Sequence, residues 1–309
     1  MTALHPRTPA TPPPRSVPRR RRDGANGLLV LPALAMFVVF ALLPLAGAVI
    51  LSLTRWDGLG AIGWAGLANW SGVVKDPVTG HALLLTFKIM VVSWLVQTPI
   101  SLLLGVFTAG TQRYRAVLAA LYFVPLLLSS AAVALAFKAI LDPHFGIGAA
   151  PGLGMLAQNW LGDPDLVLYV VIFVIAWQFV PFHTLLYQAA VRQIPVSLYE
   201  AATIDGAGRL QQFRHITLPQ LRGTFITSST LMVTGSLTYF DVVFVLTGGG
   251  PGNATRLLPL DMYLTGFTAN DMGAASVLAV LLVVIGLALA LALTRFTGFS
   301  RMRSEQEGL

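Results

Sequence analysis

Hydrophobic and polar positions along the chain sort into six long apolar runs, at 27–53, about 84–112, 116–137, 166–191, 223–247 and 272–294. A helix needs roughly 20 consecutive apolar residues to cross about 30 Å of hydrocarbon, and each run is long enough. Strands of a membrane barrel would show alternating segments of about ten residues; these runs are continuous. The pattern predicts an all-α membrane protein with six transmembrane helices. The second run carries Lys88 and the fifth Asp241, while the other four hold no Lys, Arg, Asp or Glu. Residues 1–26 are rich in Pro and Arg without an apolar period and are expected to be a disordered basic tail. The expected organisation continues with a first transmembrane helix and its external loop over 27–83, five further helices over 84–298, and a tail at 299–309.

Composition agrees. The 309 residues are 55% apolar and only 11% charged, with a mean hydropathy of +0.74. A soluble globule carries about 25% charged residues, so an ordinary water-soluble enzyme is excluded. The net charge of +7 acquires meaning from its placement. Arg7, Arg15, Arg19 to Arg22, Arg113, Arg115, Arg192, Arg209, Arg214, Arg222, Arg295, Arg301 and Arg303 all fall on one side of the alternating runs. Arg55, Lys75, Lys88, Lys138 and Arg256 fall on the other, with most of the Asp. Positive residues accumulate on the cytoplasmic side, so both termini are expected there. The charge marks topology and membrane lipid rather than nucleic acid. A basic start ahead of an apolar run also suits a signal peptide, with Ala46-Gly47-Ala48 as a cleavage site, but the run is too long and continues past it.

The connection 192–222 is the most informative loop. Ser197 and Glu200 have capping-box spacing and predict a helix starting at Leu198, with Pro195 marking the break upstream. Leu198, Ala201, Ala202 and Asp205 then share one face, and Asp205 and Arg209 stand four residues apart if the helix continues. Gly206 suits a helix stop with positive φ. Phe213, Ile216 and Leu218 form an apolar stripe expected to pack under the bundle, and Pro219 ends that element. Pattern alone leaves two uses for the small-residue face: docking into a groove of a partner, or resting on the protein's own helices.

Polar groups within apolar runs face a cavity or another helix. The fourth run holds Trp177, Gln178, Phe179, Phe182 and His183 around Pro181, and the fifth holds Ser236, Thr238, Tyr239 and Asp241. Aromatic faces stack on sugar rings and amides bond hydroxyls, yet each of these residues also fits ordinary helix packing. His183 suits an interhelical hydrogen bond, Asp241 a structural contact, and Trp94 and Gln97 packing and interhelix bonding. The run Gly248 to Gly250 resembles a phosphate loop but lacks the following Lys and is expected to be a flexible external turn. The five His are scattered and the chain has no Cys, so no metal constellation or nucleophile–base pair is readable.

Glu200-Ala201-Ala202, then Gly206, then Ile216, Leu218 and Pro219, resemble the EAA motif of permease subunits in binding-protein-dependent ABC importers. Phe240-Asp241 with Leu246-Thr247-Gly248-Gly249-Gly250-Pro251 resembles the end of the fifth span in the carbohydrate-uptake, maltose-transporter branch. Leu31-Pro32, Leu43-Pro44, Ser52-Leu53 with Trp56, and Gly66-Leu67-Ala68-Asn69-Trp70 agree with that branch. The resemblance implies a six-helix permease whose last five helices form the importer core, in a bacterial cytoplasmic membrane. It implies a complex with a second homologous permease, an ATP-binding cassette ATPase dimer and an extracytoplasmic solute-binding protein. ATP and magnesium would be used by the ATPase, leaving this chain with no cofactor and no enzymatic activity of its own. By the same resemblance Glu200, Ala201, Ala202, Asp205, Gly206, Ile216, Leu218 and Pro219 couple to the ATPase. Gln178, Phe179, Phe182, Ser236 and Tyr239 line the path of a carbohydrate substrate. The rival classes are an ion-coupled secondary transporter, which needs intramembrane carboxylates and finds only Asp241 near a span, a membrane scaffold, and an importer permease for a non-sugar solute.

Overall fold

A computed structural model describes residues 30–296 apart from Thr111; the basic tail 1–26, and Arg301 and Arg303 in the tail 299–309, lie outside the described residues. Helix α1, Leu31–Leu51, is apolar throughout. Its register widens at Val38–Leu42, where the Leu43 N–H reaches back to the Val38 carbonyl. Pro44 follows directly, and a proline ring crowds the carbonyl four residues before it, so the wider turn relieves that clash. The boundary between the chain's two compact units falls after Ala46.

After the last turns of α1, the second unit holds a small hairpin, β1 Thr54–Arg55 paired antiparallel with β2 Gly63–Trp64, and helix α2, Ala68–Lys75. The Asn69 side chain donates to the Ser52 and Thr54 carbonyls at 3.0 and 2.7 Å. The hairpin tip is closed by Asp57, which accepts from the Gly60 and Leu59 amides at 2.7 and 3.0 Å. Those two backbone donors hold the Asp57 carboxyl below the ordinary carboxylate value.

Helix α3, Pro77–Thr108, starts seven residues before the expected second run and ends four short of it. The N-terminus is set by Asp76, whose carboxylate accepts from the Val78 amide at 3.0 Å, with Pro77 at the first helical position. The external loop expected before residue 84 is correspondingly shorter, and the division drawn at 83/84 falls inside α3. Two helices, α4 at Arg113–Leu127 and α5 at Ser130–Ile140, come next, and helix α6, Val167–Arg192, matches the fourth run and forms the most extensive helix pair with α3. Close approach depends on Gly105: a Cβ there would sit 2.5 Å from the Tyr187 Cβ and 3.0 Å from the Thr184 carbonyl.

Two expected spans are broken. The third run is not one helix but α4, Arg113–Leu127, and α5, Ser130–Ile140, bent by 98°. Pro125 weakens the end of α4, and Ser129 restarts the chain by accepting from the Ala132 amide at 3.2 Å. The 192–222 connection holds α7, Val196–Ile204, and a helical stretch α8 at 209–220. The fifth run divides into α9, Arg222–Ser236, and α10, Asp241–Leu246. At this second break the Ser236 hydroxyl donates to the Val233 carbonyl at 2.7 Å and Thr238 to Gly235 at 2.8 Å, local bonds that compete with the helical ladder. The second pieces, α5 and α10, pack on each other and enter one core with α6 through Val133, Ala134, Val171, Ile175, Val242, Val243 and Leu246. Hydropathy cannot register such breaks, because the residues on both sides remain apolar.

The stretch after α10 is not a flexible loop. Thr255 is fully buried and ties the glycine turn together: its hydroxyl lies 2.7 Å from that of Thr247 and donates to the Gly250 carbonyl at 2.9 Å. Gly248 and Gly249 adopt φ of +62° and +92°, which side chains resist. Helix α11, Leu258–Tyr263, is then buried, because Leu257, Leu258 and Leu260 need an apolar setting. Asp261 pairs with Arg256 at 2.7 Å and accepts from Thr79 of α3 at 3.2 Å. Helix α12, Met272–Phe296, matches the sixth run. Among the described residues four helices are long and apolar enough to cross a membrane, or five with the bent α4–α5 pair counted as one span.

Candidate functional site

The 192–222 connection folds as a compact pair of helices. Helix α7 begins at Val196, two residues before the expected start, and the Ser197–Glu200 capping box does not form: Pro195 occupies the N-cap without a side-chain bond. Pro195 fixes its own φ and breaks from α6, which suffices to start the helix. The end of α7 follows the glycine expectation. Gly206 has φ +80°, its amide bonds the Thr203 carbonyl at 3.1 Å, and the Ala207 amide bonds Ala202 at 2.8 Å. These are the paired bonds of a Schellman termination.

That stop overrides the expected Asp205–Arg209 pairing, because the helix ends at Ile204 and the chain turns before Arg209. In α8 the backbone widens at Phe213–Thr217, again just ahead of a proline, Pro219, which continues α8 for one residue rather than ending it. The expected stripe is only partly buried: Phe213 and Ile216 are half-buried, Leu218 is exposed, and Thr217 is the buried residue. Thr217 meets the Tyr199 hydroxyl at 2.9 Å, while Gln212 donates to Thr203 and to the Ala207 carbonyl, both at 3.0 Å. The outward surface of α7 therefore keeps Glu200 and Ala201 exposed, with Ile204 86% exposed and Val196 and Leu210 open beside it. Its inner end is joined to the bundle through α6: Gln188 donates to the Thr108 carbonyl at the end of α3 at 2.8 Å, beside longer contacts from Arg192.

Between the two broken spans lies a cavity of about 420 Å³, within the range of small-molecule sites. Leu126, Ser130, Phe179, Phe182, His183, Gly235, Tyr239 and Asp241 are among its lining residues. Phe179 of α6 and Tyr239 of the second break stack with centroids 6.0 Å apart and planes 29° apart. Of the five expected path residues, Phe179, Phe182 and Tyr239 meet here. Gln178 and Ser236 do not line the cavity: the Gln178 amide donates to the Leu128 carbonyl at 3.2 Å and to Ser130 at 3.3 Å, holding the α4–α5 break, and Ser236 bonds its own helix.

His183 makes the interhelical bond expected of it, 3.0 Å from Ser228. Asp241 stands exposed at the cavity wall, with no ion pair among the described residues. Ser130 and Leu126 were invisible to the sequence pattern because the bend that turns them inward was not legible; Pro125 and Ser129 were its only signals. Gln97 of α3 is fully buried beside the Tyr239 hydroxyl.

The helices long and apolar enough to cross a membrane, the two broken apolar runs around a polar-rimmed cavity and the Gly206-stopped helix pair point to a membrane permease. The family described as "Binding-protein-dependent transport system inner membrane component" matches residues 99–298, and the chain belongs to it. It is 35% identical over 276 residues to the probable ABC transporter permease protein YurN of Bacillus subtilis (strain 168), covering 87% of this chain and 94% of that one. It is 30% identical over 277 residues to the trehalose/maltose transport system permease protein MalF of Thermococcus litoralis, covering 89% and 94%. The fold is that of a chain in the crystal structure of a bacterial ABC transporter involved in the import of alginate, with a TM-score of 0.78 at 21% identity, over 90% of this chain and 96% of that one. The protein is thus an inner-membrane, multi-pass transport component and not an enzyme.

Proposed function

We propose that this chain is one permease subunit of an ATP-driven importer that moves a sugar delivered by an external binding protein. The observation that carries this is the cavity at the two broken spans, where the stacked Phe179 and Tyr239, with Phe182, offer aromatic faces and Ser130, Thr238 and Asp241 offer hydrogen-bonding groups. Broken helices that line a cavity are where transporters hold their solute, and aromatic faces suit the C–H surface of a sugar ring. The trehalose/maltose relative supports the same substrate class.

The chain spans the membrane six times with both termini in the cytoplasm, α9 and α10 together supplying the fifth crossing. This topology is supported by the segregation of Lys and Arg. The α7–α8 pair is the coupling element: Glu200, Ala201, Ala202, Asp205 and Gly206 meet an ATPase subunit, while Ile216, Leu218 and Pro219 belong to the helix that backs it. Its exposed apolar residues Val196, Ile204 and Leu210 support a protein partner there. On the opposite side Leu59 is 98% and Trp64 74% exposed around the hairpin, which supports docking of the binding protein. The pore is completed by a second homologous permease, and ATP with magnesium is hydrolysed by the ATPase dimer. Closure of that dimer biases a two-state bundle.

The test is uptake of radiolabelled sugars by liposomes holding the complete transporter with its binding protein. ATP-dependent accumulation of a sugar is expected; accumulation of only non-sugar solutes would sink the substrate class, and accumulation driven by an ion gradient without ATP would sink the importer class.

A further inference from the structure

Tyr239 reaches the cavity from a part of the chain that no helix holds. Residues 239 and 240 lie in the gap between α9 and α10. Backbone outside a helical ladder leaves the direction of a ring to its side-chain contacts. Two of these serve Tyr239: the stack on Phe179, and the Gln97 side chain at its hydroxyl.

Gln97 belongs to α3 and is fully buried, yet it is not among the residues that line the cavity. An amide shut away from water is costly unless a polar group meets it, and the Tyr239 hydroxyl is beside it. The stretch of α3 that carries Gln97 is also fastened to both neighbouring helices. Trp94 donates to the Ser229 hydroxyl of α9 at 2.9 Å, and Thr98 meets the Met232 sulfur of the same helix at 3.4 Å. Ser101 reaches the carbonyl of Val180, next to Phe179 on α6, at 3.4 Å. Gln97 therefore stands on a fixed support, with an unsupported break in front of it.

We infer that Gln97 is a positioning residue of the solute site: it holds the Tyr239 hydroxyl and so sets the slant of the Phe179–Tyr239 wall that this chain presents to the sugar. Its side chain lies behind the wall and acts through the ring. A wall ring held by a buried polar anchor on a rigid helix keeps one geometry, whereas a ring free to swing discriminates less among solutes of similar size. The inference rests on the sugar-importer reading above, in which the second permease completes the pore.

The experiment uses the complete transporter reconstituted with its binding protein. It compares the uptake rates of a preferred and a poorer sugar, each presented on saturated binding protein. Gln97→Met keeps the length of the side chain and removes the amide. The ratio of the two rates is expected to fall about fivefold, the worth of one hydrogen bond. Tyr239→Phe removes the other half of the contact and should lower the ratio in the same direction. The double variant should go no further than the larger single change, because both substitutions break one contact. A role for Gln97 in helix packing alone would leave the ratio where it was or make the two effects additive, and either result would overturn the inference. Gln97→Asn keeps the amide and draws it back by one carbon, and decides the matter if Gln97→Met does not assemble: a smaller fall in the ratio is expected, and an unchanged ratio overturns the inference. An unsubstituted transporter that imports no sugar at all would sink the sugar reading and this inference with it, a result distinct from sugar uptake in an unaltered ratio.

Discussion

The Tyr199 hydroxyl lies 2.9 Å from the Thr217 hydroxyl and joins two helices that otherwise touch water on most of their surface. This bond, with the two from Gln212, makes the α7–α8 pair a rigid body rather than a floppy loop. A rigid body can transmit a push; a loop absorbs it.

The turn at Gly206 is the first place to test that idea. Its φ of +80° lies where a side chain is strained, although space around it is open. Gly206→Ala is expected to cost about 1 kcal/mol locally and to lower uptake and binding-protein-stimulated ATPase activity together, with membrane insertion unchanged. Glu200→Ala should do the same through the exposed face. Wild-type uptake in both variants would remove α7 from the coupling role.

The cavity predicts a division among the path residues. Phe179→Ala and Tyr239→Ala remove stacked rings from the wall and should change the ranking of sugars in competition assays. Gln178→Ala should act otherwise, because its amide holds the Leu128 carbonyl and Ser130 at the bend. Loss of those bonds unties the bend at about 0.5–1.5 kcal/mol per hydrogen bond, and is expected to lower the melting temperature in detergent more than it alters sugar ranking. The reverse pattern would place Gln178 against the solute.

Gly105 sets the spacing of the two principal helices. A methyl group there would press on the Tyr187 Cβ and the Thr184 carbonyl. Gly105→Ala is therefore expected to destabilise the purified protein by about 1–3 kcal/mol through overpacking, measured by thermal unfolding in detergent. A neutral result would mean that α3 and α6 slide past each other freely.

The Arg256–Asp261 pair closes the end of the bundle opposite α7. Asp261 is buried with Thr79 as its other side-chain partner. Arg256→Ala strands that charge and should cost about 3–5 kcal/mol, whereas adding Asp261→Asn to it should restore part of the loss. Equal stability of the single and double variants would show that Asp261 finds another partner.

The legibility of this protein in its sequence follows a physical line. Hydropathy located α1, α6 and α12 within a few residues, because lipid demands an unbroken apolar run and the run is itself the signal. The glycine stop at residue 206 was readable for a similar reason: a positive φ admits few residues. Asp76-Pro77 was an equally local signal for the start of α3 and was masked by the polar residues that follow it.

What the chain could not announce was where a continuous apolar run stops being one helix. The breaks near Ser129 and Leu237 cost backbone hydrogen bonds, and those losses are offset by groups far away in sequence, such as the Gln178 amide on the Leu128 carbonyl. Sequence by itself determined that this is a helical membrane protein carrying the spacing of Glu200, Ala201, Ala202 and Gly206 seen in importer permeases. Tertiary structure alone decided that two of its apolar runs break, that Phe179, Phe182 and Tyr239 meet while Gln178 and Ser236 turn elsewhere, and that His183 bonds Ser228. Local runs report the solvent a segment must satisfy. A cavity is made by segments distant along the chain, and only packing brings them together.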